Sequence, residues 1–230
     1  MKSGKITEQD AAAARCWYDD ACGAAFALEL VGERWSLLVI RELMLGPRRF
    51  SDLRKDLPGI SANVLSQRLA GLERSGILYK RQLPPPAGAQ VYELSAWGRE
   101  AEPVLQALGR WAVRSPLHDP MRPLSPVSAM LSLRTMLRPD RGPLAMTVAF
   151  RFPDSSFVGR LDRHGLHIER GDAVHADVGF ETDTTGLVTL VYGKQPFAEA
   201  EAAGALRLQG DRELAERFVD CFRLPDKLAA

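Results

Sequence analysis

Cysteine, aromatic residues, long apolar runs and catalytic motifs are all scarce in this chain, and each scarcity removes a class of protein. There are three cysteines, Cys16, Cys22 and Cys221, an odd number at unlike spacings. That argues against the disulfide framework on which small secreted domains depend. No apolar run approaches the roughly 20 residues of a membrane span, and Met1-Lys2-Ser3-Gly4-Lys5 leads into Ala-rich polar sequence rather than a signal-peptide core. A cytoplasmic protein without membrane insertion is expected. The chain contains no G-x-S-x-G elbow, H-E-x-x-H, C-x-x-C or Gly-rich phosphate loop. His164-x-x-His167 straddles a turn without a third ligand, and Asp162 and Asp177 read as turn and edge residues rather than an acid/base pair. No enzyme, metal or cofactor is expected.

Excess charge is also missing, since 30 basic residues oppose 29 acidic ones for a net +1. The distribution is uneven. Arg34 to Gln82 holds ten basic residues against four acidic, whereas Val127 to Ala230 holds thirteen against fifteen. A basic face in the first half is the electrostatic footprint of a nucleic-acid partner. At 230 residues the chain has room for two cores.

What the chain does have is concentrated in Pro47 to Leu94. Ser61 is a good N-cap, and Leu65, Leu69 and Leu72 recur at i, i+4 and i+7, which predicts one apolar stripe on a helix. The opposite face carries Asn63, Ser66, Gln67 and Arg68, groups suited to base edges and phosphate oxygens. Taken alone, such a face has a plainer reading as solvated surface. Upstream, Phe50, Leu53 and Leu57 lie at helical spacing, and Pro58-Gly59 turns the chain. Downstream, Gly76 stops the second helix, and Ile77 to Leu83 and Gln90 to Leu94 read as short strands joined through Pro84-Pro85-Pro86. Helix, turn, helix and β-ribbon make a winged helix-turn-helix. Arg48 and Arg49 open a helix, where a cation opposes the dipole unless an anion lies nearby. Lys80 and Arg81 fall on opposite faces of a strand, so one of them can point toward a duplex.

Residues 1 to 20 read as an arm, with Trp17 and Tyr18 able to pack on the body. Two core helices are expected next, one from Cys22 to Gly32 with the stripe Phe26, Ala27, Leu30 and Val31, the other from Glu33 to Leu45. From Ser95 a single helix is expected to reach Ser115 with Pro103 inside it, kinking it. Its stripe of Trp97, Val104, Leu105, Leu108 and Trp111 exceeds what a small winged helix needs to cover, and predicts a homodimer seam.

These motifs resemble the HxlR family of bacterial transcriptional regulators. The residues that carry the resemblance are Leu28 to Leu38, Gly46-Pro47-Arg48-Arg49-Phe50, Pro58-Gly59-Ile60-Ser61, Leu65 to Leu69, Tyr92 to Ser95 and Leu108-Gly109-Arg110-Trp111. It covers residues 22 to 114. The resemblance implies a homodimer on double-stranded DNA in the bacterial nucleoid, with the helix from Ser61 in the major groove and the ribbon around Lys80 and Arg81 against phosphate. It also implies a second input, because Cys22 stands where some members carry a sensing cysteine. A helix start favours thiolate, whereas the plainer reading of a free cysteine is a small buried hydrophobe. Cys16 could pair with it, and Cys221 reads as core.

Four prolines within Pro116 to Pro126 read as a stiff linker. Beyond it the period changes. A helix over Val127 to Leu137 precedes strand-like runs at Leu144 to Phe152, Phe157 to Arg163, Gly165 to Arg170 and Ala176 to Thr182, read as antiparallel with tight turns at Pro153-Asp154, His164-Gly165 and Gly171-Asp172. Helices at Thr184 to Tyr192 and Pro196 to Ala203, a strand at Ala205 to Gln209 and a helix capped by Asp211 complete the chain.

The order from Asp177 to Asp183, Leu187 to Gly193 and Glu199 to Asp211, with Gly204-x-Leu206-x-Leu208-x-Gly210-Asp211, resembles the C-terminal part of sterol carrier protein type 2 domains. That resemblance implies an α/β domain with a mainly antiparallel sheet over an apolar tunnel for a small hydrophobic effector. Met130, Leu133, Phe150, Phe180, Leu190, Phe197 and Phe218 are the candidate lining, with ordinary core as their plainer role. The expected architecture is α+β: an arm over 1–20, a winged helix-turn-helix over 21–115, a linker over 116–126 and a ligand-binding domain over 127–230. The expected function is an effector-controlled, DNA-binding homodimer. The alternative is a lipid-type carrier or scaffold whose winged helix serves protein contacts.

Overall fold

The structure is a computed structural model and describes residues 18–86, 88–120 and 122–228. Most of the expected arm, with Cys16 and Trp17, lies outside the described residues. Tyr18 is exposed, and its N–H donates to Glu29 Oε1 at 3.2 Å.

Helix α1, Gly23–Val31, is capped by Cys22 and ended by Gly32. The sequence reading made it core. Only Ala25 of this helix is buried, while Phe26 and Leu28 are 56% and 54% exposed. Periodicity fixes which side chains share a face but not whether anything covers that face. Helix α2, Ser36–Leu43, starts three residues later than expected because Trp35 adopts a left-handed backbone with φ 82°, a conformation a bulky residue rarely takes. Val39, Ile40 and Leu43 then enter the core.

Helix α3, Phe50–Asp56, and helix α4, Ala62–Arg74, are joined by a turn in which Gly59 supplies φ +92°. Leu65, Leu69 and Leu72 of α4 are fully buried. Strands β1, Leu78–Gln82, and β2, Gln90–Leu94, pair antiparallel from Leu78 opposite Leu94 to Gln82 opposite Gln90. Arg48 and Tyr92 exchange backbone hydrogen bonds of 3.0 and 2.8 Å, so the segment before α3 is stitched to the ribbon.

The single helix expected from Ser95 to Ser115 is two, α5, Ala96–Arg99, and α6, Glu102–Ala112. Pro103 does not kink a helix interior. It stands in the first turn of α6, where a missing N–H has no partner to lose. A Cβ on Gly98 would come within 2.0 Å of the Ile77 carbonyl oxygen, so α5 lies directly on the start of the ribbon.

The C-terminal tail folds back over the start of the proline-rich stretch after α6. The Leu228 N–H donates to the Arg114 carbonyl at 2.8 Å, and Lys227 Nζ donates to the carbonyls of Ser115 and His118 at 2.9 Å each. Pro126 opens helix α7, Pro126–Met136, capped by Ser125. This helix is buried nearly all round, from Val127 to Met136. It packs on α2 and α6 as well as on the sheet that follows, so one apolar cluster runs from Val39 and Leu65 to Phe150 and Phe218.

That sheet has five strands, β3, Met146–Phe152, β4, Ser155–Leu161, β5, Leu166–Arg170, β6, Val178–Thr182, and β7, Leu206–Gly210, in the order β5-β4-β3-β6-β7. The all-antiparallel reading of the first four is corrected at one seam, where β3 and β6 run parallel from Val148 opposite Val178 to Arg151 opposite Glu181. Gly171-Asp172 does not form a hairpin turn, because residues 171–177 carry the chain past β4 to the far side of β3. There the N–H of Thr147 donates to Asp177 Oδ2 at 2.7 Å and fixes the crossing. Helices α8, Thr184–Val191, α9, Phe197–Ala202, and α10, Arg212–Asp220, follow. Phe150 and Phe180 stack at 6.0 Å between ring centroids, and Phe218 meets Phe222 edge-on at 4.9 Å. The fold is mixed α and β, a helix-turn-helix with its ribbon followed by a separate five-stranded sheet. Among the described residues no helix is long and apolar enough to cross a membrane.

Candidate nucleic-acid interface

Helix α4 is held by its leucines and presents the rest. Ser61 Oγ accepts the Val64 N–H at 3.2 Å and fixes the helix start. Asn63, Ser66 and Gln67 are exposed on the face opposite the buried leucines. Their amide and hydroxyl groups can donate and accept, as reading of base edges requires.

The cations of the region divide into two kinds. Arg68 has a side chain only 20% exposed and pairs with Glu33 at 2.9 Å, tying α4 to the turn before α2, and its Nε has no acceptor. Arg48 is 12% exposed, pairs with Asp56 at the far end of α3 and is held through its backbone by Tyr92. On the ribbon, Lys80 pairs with Glu73 at 2.9 Å and lies 5.9 Å from the Tyr92 ring centroid, and Arg81 pairs with Glu93 at 2.8 Å. Its hydrogen bond to Glu73 holds the Lys80 ammonium above its ordinary pKa. Arg49, the N-cap of α3, is exposed, as are Arg54 and Arg74. None of these three has an ion pair among the described residues. Arg54 and Arg74 were missed by sequence reasoning, although Arg74 stands seven residues after Gln67 and so on its face of α4. An open cleft of about 700 Å³ lies between α1 and α4, bordered by Leu28, Glu33, Gln67, Arg68 and Arg74.

Of the expected seam residues, Trp97, Val104, Leu108 and Trp111 are exposed, Trp111 to 74%, while Leu105 packs against the core. Helix α6 has no buried residue at all. The seven candidate lining residues of the C-terminal half are Met130, Leu133, Phe150, Phe180, Leu190, Phe197 and Phe218. All are buried and belong to the continuous core, and they border neither the cleft between α1 and α4 nor the one between α3 and the β3–β4 turn. Cys22 is exposed at the start of α1, where the N–H groups of Ala24 and Ala25 hold its thiol below the ordinary pKa. Cys221 is buried, donates to the Arg217 carbonyl at 3.3 Å and is pushed up by burial.

A helix anchored by one apolar face, offering a polar face beside a β-ribbon, defines a winged helix-turn-helix transcriptional regulator. The sequence profile of the HxlR-like helix-turn-helix family matches residues 30–118. The HTH-type transcriptional regulator YodB of Bacillus subtilis is 36% identical over 86 residues, which are 37% of this chain and 77% of YodB. The HTH-type transcriptional regulator YvaP of the same organism is 33% identical over 86 residues, 37% of this chain and 80% of YvaP. The solved quinone-bound YodB is 32% identical over 39% of this chain and 93% of its own, with a TM-score of 0.34. The chain belongs to the HxlR-like family of DNA-binding transcriptional regulators, and the family match ends before α7.

Proposed function

We propose that the chain is a sequence-specific regulator that binds double-stranded DNA as a homodimer, with Asn63, Ser66 and Gln67 of α4 at base edges in the major groove. The observation that carries this reading is the division of α4 into a buried leucine face and an exposed polar face, in a chain of this family. Ser61 sets the helix start. Arg49 meets phosphate at the foot of α3, and Arg54 and Arg74 extend the basic face. Lys80 reaches phosphate by exchanging Glu73, a small cost because exposed ion pairs contribute about 0–1 kcal/mol, and Arg81 does so by leaving the largely buried Glu93 to Arg99, 3.9 Å away. Arg48 and Arg68 act through position, one fixing the ribbon to α3 and the other fixing α4 to the turn at Glu33.

The seam of the homodimer is the face formed by Trp97, Val104, Leu108 and Trp111, continued by Phe26 and Leu28 on α1. Leu105 fastens that face to its own core. In domain terms the arm covers 1–20, the DNA-binding and dimerisation unit 21–115, the linker 116–126 and a sterol-carrier-like unit 127–230. Control by a small hydrophobic effector in that last unit rests on the sequence resemblance and on a sheet covered by helices. Its seven lining candidates are packed together, so such an effector would have to part the rings of Phe150, Phe180 and Phe218.

A second reading is favoured by Cys22, exposed with a lowered thiol pKa, in a chain related to a regulator solved with quinone bound. It makes Cys22 a sensor of oxidants or electrophiles. The third, a carrier or scaffold without DNA, leaves the polar face of α4 without a use.

The test is binding of the purified protein to DNA from its own upstream region, against a scrambled duplex, across a range of salt. Preference for the native duplex with affinity falling steeply as salt rises supports the proposal. No binding at low salt by a reduced, dimeric protein overturns it.

A further inference from the structure

Buried polar atoms without partners are few in folded proteins, and here they gather. Eight buried side-chain nitrogen and oxygen atoms lack a hydrogen-bond partner among the described residues, and four of them belong to Arg48, Ser155 and Arg170. Those three residues line one cleft of about 430 Å³, walled on one side by the start and the exposed flank of α3 and on the other by the β3–β4 turn and the end of β5.

Arg170 is the unusual member. Its guanidinium lies 4.7 Å from the Phe157 ring centroid and makes no hydrogen bond or ion pair among the described residues, with Nε and Nη2 both buried. Burial and the positive charge of Arg48 hold its pKa below the ordinary value. The carboxylates around the cleft are committed elsewhere. Asp56 is taken by Arg48, Asp154 by Lys55 at 2.7 Å, and Asp183 by the Gly186 N–H at 2.7 Å. Asp52, half-buried, accepts only the neighbouring Ser51 hydroxyl, at 3.2 Å, among the described residues.

A guanidinium without a counter-ion, a second guanidinium with an unused N–H and an unpartnered hydroxyl together fit a planar two-oxygen acceptor. The four carboxylates disfavour a second negative charge, and Asp52, the least engaged of them, offers an acceptor to a donor group. We propose that this cleft binds a small hydrophilic monocarboxylic acid that also carries an amino or hydroxyl group, with its carboxylate on Arg170. A rotamer change of the kind common on binding brings the buried edge of the guanidinium to the ligand. The site is distinct from the apolar interior of the C-terminal half. An occupant touches α3, one turn of chain before α4, and lies beside Arg48, whose backbone holds the ribbon at Tyr92. It therefore joins the sheet to the DNA-facing elements. Only that consequence rests on the regulator reading, because the binding test contains no DNA and can fail or succeed independently of it.

Two measurements on the full chain test the proposal. In the first, the Arg170 Nε resonance, assigned by its loss in Arg170→Gln, is followed during titration with L-serine, L-lactate and succinate at constant ionic strength. A saturable shift with serine or lactate, weakened about tenfold or more for succinate and left intact in Arg160→Gln, is the expected result. No shift with either, or tighter binding of succinate, overturns the proposal. The second needs no ligand. Replacing an uncompensated buried charge with an apolar group of similar volume stabilises a fold, so Arg170→Met should raise the unfolding midpoint of the ligand-free protein by about 2–4 °C. A lowered midpoint would make Arg170 a structural residue and overturn the assignment.

Discussion

The two halves of the chain treat apolar surface in opposite ways. Of the twelve large hydrophobic residues left exposed among the described ones, ten precede residue 118 and two, Val174 and Leu228, follow it. Among the described residues every close pairing of aromatic rings, by contrast, lies in the second half, among Phe150, Phe152, Phe157, Phe180, Phe197, Phe218 and Phe222. The second half buries its rings in a core that it shares with the first through α7. The first is finished only inside, around Leu65 and Ile40, and leaves the outer faces of α1, α5 and α6 uncovered. An uncovered face of that size marks an interaction surface, whereas a ring cluster of that density is a stability element.

The two halves differ most at Phe180 and Trp111. Phe180→Ala should lower the unfolding free energy by about 3–5 kcal/mol in urea titrations, the cost of emptying a ring-sized site in a closed core. Trp111→Glu should leave the stability of a single chain within about 0.5 kcal/mol of its starting value. In sedimentation velocity the same variant should fall to half the mass of the wild type, and an unchanged mass would reject the seam. Between those extremes stands the polar face of α4. Gln67→Ala should weaken binding to the preferred duplex by about 1–3 kcal/mol with no change in unfolding midpoint, and equal loss on scrambled DNA would demote Gln67 to a phosphate contact.

The smallest expected effect belongs to the joint between the halves. Glu42 is fully buried on α2, accepts the Ser125 hydroxyl at 2.7 Å and pairs with Arg41 at 2.7 Å, while its Oε2 has no partner. Burial raises its pKa above the ordinary carboxyl value. A carboxyl that titrates higher in the folded chain than in the unfolded one burdens the fold while ionised, and the burden is relieved as pH falls from the folded pKa to the unfolded one. Glu42→Gln keeps the Ser125 bond, so it should stabilise the protein near neutral pH by about 1 kcal/mol. It should also flatten the stability profile in that window. A variant less stable than wild type at neutral pH would show that the Arg41 pair outweighs burial.

Much of this arrangement is written locally and could be read from residues alone. Leu65, Leu69 and Leu72 fall on one face because helical geometry requires it, and Ser61, Ser125, Asp183 and Asp211 cap helices through their own side chains. What escaped reading depends on distant partners. The parallel pairing of β3 with β6 is decided by where the chain returns after residue 171, which no local pattern encodes. The stripe on α1 was visible, but its exposure depends on what the rest of the chain leaves uncovered. Arg68, Lys80 and Arg81 were legible as cations, while the carboxylates that hold them come from Glu33, Glu73 and Glu93 on other elements. Pro103 was legible as a breaker and was misplaced by assuming one helix where a first one, with Gly98 pressed against Ile77, already ends at Arg99.

In the proposed regulator, α4 from two copies of the chain meets one duplex. The most direct measurement is hydroxyl-radical footprinting of the purified protein on its preferred DNA. Two protected patches related by symmetry and separated by about one helical turn, or a multiple of it, are predicted, with both patches lost together in Trp111→Glu. A single patch, or two that survive loss of the dimer, would contradict it.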